Sequence, residues 1–197
     1  AAKGAGESHR PRVNTAEVEQ LMSRGYLGQA HVASASEDAA RADPKDKLET
    51  YQLVMSALTL SEAKKPGAAL DALASAEELE PGLTHVHYLK GVILGGQERY
   101  REAAAALERT LALDPRHHLA RFKLALAYLR LGHDRRAEAL MQAVVADEPD
   151  NVRAYQNLAA LAYTRGDLAR AEAMARRAVE IDAGYFEAWN TLGATYL

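Results

Sequence analysis

The sequence predicts an all-α fold, an α-solenoid in which antiparallel helix pairs stack one on the next. Of the 197 residues, 48% are hydrophobic but only 6% are aromatic, and alanine, leucine, glutamate and arginine dominate. This composition favours helices over strands. In addition, Pro81, Pro115 and Pro149 recur every 34 residues, each directly after an acidic residue. Because proline ends helices and this period is typical of two-helix repeats, the prolines mark boundaries between stacked pairs.

The N-terminal part of the chain is predicted to hold a leader and one degenerate repeat. Residues 1–13 are rich in glycine and charge and lack apolar periodicity, so we expect a flexible leader there. From Asn14 the apolar residues recur at helical spacing, with Gly25 ending one helix and the Asp43–Pro44 step ending a second. We therefore assign 14–47 to a degenerate first repeat.

A second repeat is predicted over residues 48–83. Its first helix carries Leu53 and Leu58 on one face, and its second helix carries Leu73. The run Lys64–Gly67 contains proline and glycine and supplies the turn between the two helices.

From residue 84 the repeat frame is strict. It divides the chain at 84–117, 118–151 and 152–185, followed by the first helix of a further repeat at 186–197. Small residues stand where the two helices of a pair approach closely, at Gly91, Ala125, Ala159 and Gly193 in the first helices and at Ala69, Ala103, Ala137 and Ala171 in the second helices. The residues predicted to end the first helices in the left-handed conformation are Gly96, Gly132 and Gly166.

The C-terminal helix carries the fullest motif of the chain. Trp189, Leu192, Gly193 and Tyr196 stand in the order W-x2-L-G-x2-Y. With this motif and the 34-residue frame, the chain resembles the tetratricopeptide repeat family over residues 14–197. The resemblance implies a right-handed superhelix of stacked helix pairs, in which each pair depends on its neighbours to bury its apolar face.

The segment 186–197 supplies only the first helix of a pair. We therefore expect the outward sides of Trp189, Leu192 and Tyr196 to be partly bare. We also expect the sequence to be a fragment of a larger bacterial member of the family, in which more repeats or another domain follow Leu197, or in which a second copy covers this edge. Self-association through the exposed C-terminal helix is accordingly one expected interaction.

The resemblance also implies a binding surface. In this family, set positions of the first helices line the concave side of the superhelix, which receives an extended peptide or a helix. Carried over to this chain, those positions give a partner-binding groove made of His85, Tyr88, Phe122, Lys123, Leu126, Arg130, Arg153, Gln156, Asn157, Tyr163 and Asn190.

The residue types in this groove indicate the kind of partner. Tyr88 and Phe122 would supply anchoring area, and the basic and amide side chains around Arg153 would form charge-assisted hydrogen bonds. This mixture fits an amphipathic or extended protein segment with some acidic character. The alternative is that the two aromatic rings pack between helices and do not anchor a partner.

Two subtypes of the family do not fit these residues. The two-carboxylate clamp of chaperone-binding members needs polar residues where Tyr88, Val92 and Phe122 stand, so we do not expect that clamp. The sugar-transferase subtype carries a ladder of asparagines, of which this chain has only Asn157.

Composition and motifs argue against several other functions. A net charge of -3, with 24 basic and 27 acidic residues, lacks the basic excess of a nucleic-acid footprint. The chain has no cysteine, which excludes disulfides and thiolate metal sites. No window of about 18 apolar residues occurs, so we expect no membrane insertion within this chain. No acid–base constellation, nucleophile elbow, phosphate loop or metalloprotease helix is present, so we expect no enzyme and no cofactor.

The histidines His85, His87, His117 and His118 are the remaining candidates for a metal site. Residues two apart on a helix point about 200° apart, so His85 and His87 cannot ligate one ion together. We interpret all four as surface histidines.

The function predicted from the sequence is that of a non-catalytic protein-interaction scaffold that binds a segment of a partner protein in its groove. The resemblance suggests a bacterial secretion, envelope-assembly or polymer-export complex, in the cytoplasm or the periplasm. The alternative is a substrate-recognition arm of a larger enzyme, of glycosyltransferase or sulfotransferase type, whose catalytic domain lies outside this chain.

Overall fold

The computed structural model describes residues 44–197, with side chains described from Lys47 onward. The predicted leader and most of the degenerate first repeat, 1–13 and 14–47, lie outside these residues. Within the described part the chain forms nine helices and no strand, as the all-α prediction requires. In chain order the helices are α1 (Pro44–Glu62), α2 (Pro66–Leu79), α3 (Thr84–Gly96), α4 (Tyr100–Leu113), α5 (His118–Arg130), α6 (Asp134–Asp147), α7 (Val152–Thr164), α8 (Leu168–Ile181) and α9 (Phe186–Ala194).

Helix α1 begins earlier than the sequence indicated. We placed the start of its repeat at residue 48 and took Pro44 as the end of a preceding helix, but Pro44 is the first residue of α1. Proline is well tolerated in the first turn of a helix, because the backbone N–H that it lacks has no intrahelical acceptor there. The same explanation holds for Pro66 at the start of α2.

The core of each pair depends on the small residues that recur along the chain. Ala103 and Ala137 are completely buried in the second helices, as is Ala125 in a first helix. A Cβ placed on Gly91 would lie only 2.5 Å from Cγ of Leu107, so α3 and α4 approach closely enough to leave no room for a side chain at this position. This close packing sets the distance between the two helices of a pair.

Three first helices are fastened to the turn that precedes them by the same hydrogen bond. Nε2 of His87 donates to the carbonyl oxygen of Pro81 at 3.0 Å. A guanidinium nitrogen of Arg121 donates to the carbonyl oxygen of Pro115 at 2.8 Å, and the indole Nε1 of Trp189 donates to that of Ala183 at 2.9 Å. In each case the donor follows its acceptor by six residues, so one repeat position fastens each helix although the side chains differ chemically.

The turns within the pairs also share one conformation. Lys64, Glu98, Gly132 and Gly166 have φ of 56°, 61°, 75° and 77°, and they are spaced 34 residues apart. The prediction that Gly96 takes the left-handed conformation is wrong, because α3 continues through Gly96 and the chain reverses at Glu98. The repeat therefore imposes this backbone conformation even where the residue is not glycine.

Candidate partner-binding surface

The residues of the predicted groove lie on the first helices of four successive pairs. His85 and Tyr88 lie on α3, and Asn190 lies on α9. Helix α5 contributes Phe122, Lys123, Leu126 and Arg130, and helix α7 contributes Arg153, Gln156, Asn157 and Tyr163.

Tyr88 connects two pairs. It is partly buried and packs against the apolar clusters on both sides of α3. Its ring centroid lies 4.7 Å from that of His117, which begins α5, and 6.3 Å from that of His85. Burial raises the pKa of the Tyr88 hydroxyl. These contacts agree with the alternative in which this ring packs between helices.

Phe122 and Leu126 have a similar position one pair further along. Both are partly buried and pack against the cluster that contains Met141, Val144 and Leu158. Phe122 and Leu126 therefore support the core between α5 and its neighbours.

Several arginines of the described region are ion-paired, but the basic residues of the predicted groove are not. Lys123, Arg130 and Arg153 are exposed, and none has an ion-pair partner among residues 47–197. By contrast, Arg121 on the same helix α5 pairs with Asp147. Three unneutralised cations on α5 and α7 thus make this face attractive to a negatively charged group.

An amide network lies beside these cations. Nε2 of Gln156 donates to Oγ1 of Thr191 at 2.8 Å, which joins α7 to α9, and Thr191 in turn donates to the carbonyl of Glu187 at 3.1 Å. Nδ2 of Asn157 donates to the carbonyl of Arg153 at 2.7 Å. Oε1 of Gln156 is buried and has no hydrogen-bond partner in the described part of the chain.

The two ends of the predicted groove are different. Tyr163 and Asn190 are exposed, so both are accessible at the C-terminal side. At the N-terminal side His85 is partly buried, and its pKa is lowered, first by that burial and then by the charge of His117.

The interpretation of the histidines as surface residues is wrong for His87. This side chain is 4% exposed, and its Nδ1 lies 3.7 Å from a carboxylate oxygen of Glu77. It occupies the repeat position that Trp189 occupies in α9, where a large side chain meets the preceding turn. His117 is also structural, because its Nδ1 accepts a hydrogen bond from the backbone N–H of Ala120 at 3.2 Å and caps α5. Among the described residues no group of three or more metal-binding side chains occurs.

The C-terminal helix has both predicted and unexpected features. Trp189 and Tyr196 are exposed, but the expectation of a bare Leu192 is wrong, because it is buried in a cluster with Ala159 and Ala175 of the preceding pair. Tyr196 is held at its hydroxyl, which donates to Glu172 at 2.7 Å.

Across residues 44–197, no helix combines the length and the apolar character needed to cross a membrane.

Stacked helix pairs with a 34-residue period and a recurrent turn define an α-solenoid repeat protein. Family models of the tetratricopeptide repeat match residues 96–162 and 152–185. Over these residues the chain is a tetratricopeptide repeat protein.

Solved structures share this fold. A structure of MamA from Desulfovibrio magneticus RS-1, residue 41 to the end, is 23% identical with a TM-score of 0.71, over 78% of this chain and 85% of that one. A structure of YrrB, described as a TPR protein with an unusual peptide-binding site, is 22% identical with a TM-score of 0.69, over 82% and 84% of the two chains. The first TPR of Spaghetti (RPAP3), bound to the HSP90 peptide SRMEEVD, is 26% identical with a TM-score of 0.55, over 57% and 90%. No curated protein sequence matches the chain.

Proposed function

We propose that this chain is a non-catalytic protein-interaction scaffold that binds an extended, acidic segment of a partner protein across α5 and α7. The observation that carries the proposal is the group of unpaired cations Lys123, Arg130 and Arg153. Lys123 and Arg130 are seven residues apart, which is about two helical turns, so they share one face of α5. Arg153 stands on the corresponding helix of the next pair.

Other features of this surface also suit such a segment. The exposed ring of Tyr163 offers apolar area. Carboxylates of the partner would form charge-assisted hydrogen bonds with the guanidinium groups. Only one side of the Tyr88 ring and one side of the Phe122 ring can contact the partner, because the other sides pack in the core.

Similar structures support a peptide as the ligand. Of the structures compared above, YrrB is described as having a peptide-binding site and RPAP3 is bound to a peptide. We further propose that the scaffold serves in a bacterial secretion, envelope-assembly or polymer-export complex, in keeping with the bacterial source of the MamA structure.

Selection from a random peptide display library tests the proposal. The triple variant Lys123→Glu, Arg130→Glu, Arg153→Glu is compared with the unchanged chain. We expect the unchanged chain to enrich peptides rich in Asp and Glu, whose binding weakens as salt is raised, and the variant to lose this enrichment.

A matched control changes the net charge equally at exposed residues of the second helices. This variant carries Arg101→Glu, Arg109→Glu and Arg135→Glu, and it should enrich the same peptides as the unchanged chain. Equal enrichment by all three proteins, or loss in the control alone, would contradict binding across α5 and α7. Circular dichroism confirms that each variant keeps its helices.

A further inference from the structure

Apolar and basic side chains alternate along one line on the surface of α5. The four residues of this line follow one another at intervals of four, three and four, so they lie within about 60° of one another around the helix axis. In chain order they are Leu119, Lys123, Leu126 and Arg130. Leu119 is 58% exposed, more than any other leucine in α1 to α8, while Lys123 and Arg130 are exposed and Leu126 is partly exposed. The line is therefore a surface that a partner can reach.

Buried contacts of α5 lie on either side of this line. On one side, Ala120 and Leu124 are buried in a cluster against which Tyr88 of α3 packs. On the other side, Phe122 packs against the cluster that contains Leu158 of α7. The line therefore occupies the part of α5 that its neighbouring helices leave open.

The first helices on either side do not share this alternation. The equivalent residues of α3 are His85, Leu89, Val92 and Gly96, and those of α7 are Arg153, Asn157, Ala160 and Thr164. Helix α3 thus carries no lysine or arginine at these positions, and α7 carries no large apolar side chain. A segment that lies on α5 must therefore satisfy both kinds of side chain, which a purely acidic sequence does not.

We propose that the partner segment lies along α5 and carries large apolar residues and acidic residues that each recur at every third position. This inference rests on the proposed function, from which it takes the extended conformation of the segment. Leu119 and Leu126 are seven residues apart, as are Lys123 and Arg130, so each couple spans about 10.5 Å along the helix. An extended chain advances about 3.3 Å per residue and covers that distance in about three residues. Each acidic residue then meets a cation, and each apolar residue covers a leucine.

Four synthetic dodecapeptides of identical composition test the proposal with the full chain. Two of them repeat Leu-Ser-Glu or Leu-Glu-Ser, which match the two directions in which a segment can run along α5. The third arranges the same residues with all leucines on one face of a helix, and the fourth groups each residue type in one block. We expect one of the two period-three peptides to bind about tenfold more tightly than the helical and block peptides. Fluorescence anisotropy of an N-terminal fluorescein measures the four affinities.

Variants of the chain show whether the preferred peptide lies on α5. Leu119→Ser removes an exposed apolar side chain and should weaken binding of that peptide about tenfold. Leu168→Ser is the matched control, because it removes a leucine of similar exposure from α8, and it should leave the affinity unchanged. The double variant Lys123→Glu, Arg130→Glu should reject the preferred peptide and bind its counterpart in which lysine replaces every glutamate. Circular dichroism checks that each variant keeps its helices.

The results separate failure of this inference from failure of the proposed function. Equal affinity for all four peptides, lost in the double variant, would overturn the pattern but leave the binding of acidic segments intact. Unchanged affinity in Leu119→Ser would also overturn the inference alone, because the leucines of the peptide would then contact another surface. A preference for the helical peptide would overturn the extended conformation and, with it, both proposals. Absence of binding by any of the peptides would likewise overturn both.

Discussion

The ring of His117 lies 4.7 Å from the ring of Tyr88 and joins the pair α3–α4 to the pair α5–α6. The same imidazole accepts the N-capping hydrogen bond from Ala120 through Nδ1. One side chain thus starts a helix and closes the contact between two repeats. Because Nδ1 must carry a free lone pair to accept that bond, the contact depends on the neutral imidazole.

Replacing His117 should separate these two contributions. His117→Ala removes the cap and the ring contact and should lower the free energy of unfolding by about 1–2 kcal/mol. His117→Asn keeps a good cap and loses only the ring contact, so its cost should be smaller. Urea denaturation of both variants measures the difference, and equal costs would mean that the cap contributes nothing.

The same imidazoles predict a pH dependence. Burial lowers the pKa of His117 and of His85, so the folded state favours their neutral forms. Their contribution to stability is therefore complete above the ordinary histidine pKa of about 6.5 and is lost as pH falls through the folded-state values. We expect the urea midpoint to fall between pH 7 and pH 5. The double variant His85→Gln, His117→Asn should show a smaller fall in this range, and an unchanged slope would contradict the assignment.

Substitutions to and from glycine should have opposite effects on stability at the turn position shared by Lys64, Glu98, Gly132 and Gly166. A residue with a side chain costs about 1–2 kcal/mol in the left-handed conformation. Glycine avoids this cost but loses more conformational entropy on folding, so its net advantage is smaller. Glu98→Gly should therefore stabilise the chain by about 0.5–1 kcal/mol, and Gly132→Ala should destabilise it by about 1 kcal/mol. Thermal melting of both variants measures the two effects.

Gly91 and Gly193 occupy the same repeat position, but replacing each by alanine should affect stability differently. Gly91→Ala places a Cβ against Leu107 and should destabilise the chain by about 1–3 kcal/mol, because α3 and α4 must move apart. Gly193→Ala meets no neighbour and should stabilise α9 by about 0.5–1 kcal/mol through helix propensity alone. Chemical denaturation measures both, and a destabilised Gly193→Ala would show that this helix face is already covered in solution.

The carboxylate of Glu138 holds two arginines of the next pair. It binds Arg170 at 2.5 Å and also Arg165, and its side chain is largely buried. The hydrogen bond from Arg165, followed by the positive charge of Arg170, lowers the pKa of Glu138. Its stabilisation is therefore present above pH about 4.5 and is lost as pH falls through the lower folded-state value.

Glu138→Gln should cost about 1–2 kcal/mol at pH 7, less than a fully buried pair because the arginines remain partly exposed. The difference from the unchanged chain should vanish near pH 2. Glu180→Gln, at the exposed pair with Arg177, is the matched control and should leave the urea midpoint unchanged, because solvent screens the pair. A constant cost of Glu138→Gln at all pH values would mean that the packing of the side chain, not its charge, stabilises the fold.

The fold class could be predicted from the sequence because its determinants are local and steric. Proline, alanine and glycine at a 34-residue spacing indicate where helices end and where they touch, without knowledge of distant contacts. The left-handed turn residue was assigned wrongly at Gly96, because the repeat frame imposes that conformation on Glu98 regardless of its own preference. The burial of His87 likewise follows from its position in the repeat, where the neighbouring turn supplies a hydrogen-bond acceptor.

Less of the candidate site could be predicted. The positions that line the groove in this family are known, but whether a ring there faces a partner or packs in the core depends on the angle between neighbouring pairs. Tyr88 and Phe122 are partly buried for this reason. Which arginines are paired is also a property of the stacked structure, since Arg121 meets Asp147 from the facing helix whereas Arg130, on the same helix, does not.

The hydrogen bonds of His87, Arg121 and Trp189 to the preceding turns fix the position of three first helices, each through a chemically different side chain. An imidazole, a guanidinium and an indole differ in length, so exchanging one for another would tilt one pair slightly against its neighbour. Because the pairs stack end to end, a tilt of a few degrees between two of them displaces the far end of the stack. A single substitution at this position can therefore change the curvature of such a protein without altering any residue that contacts the partner. The length of partner segment that the protein can contact changes with the curvature.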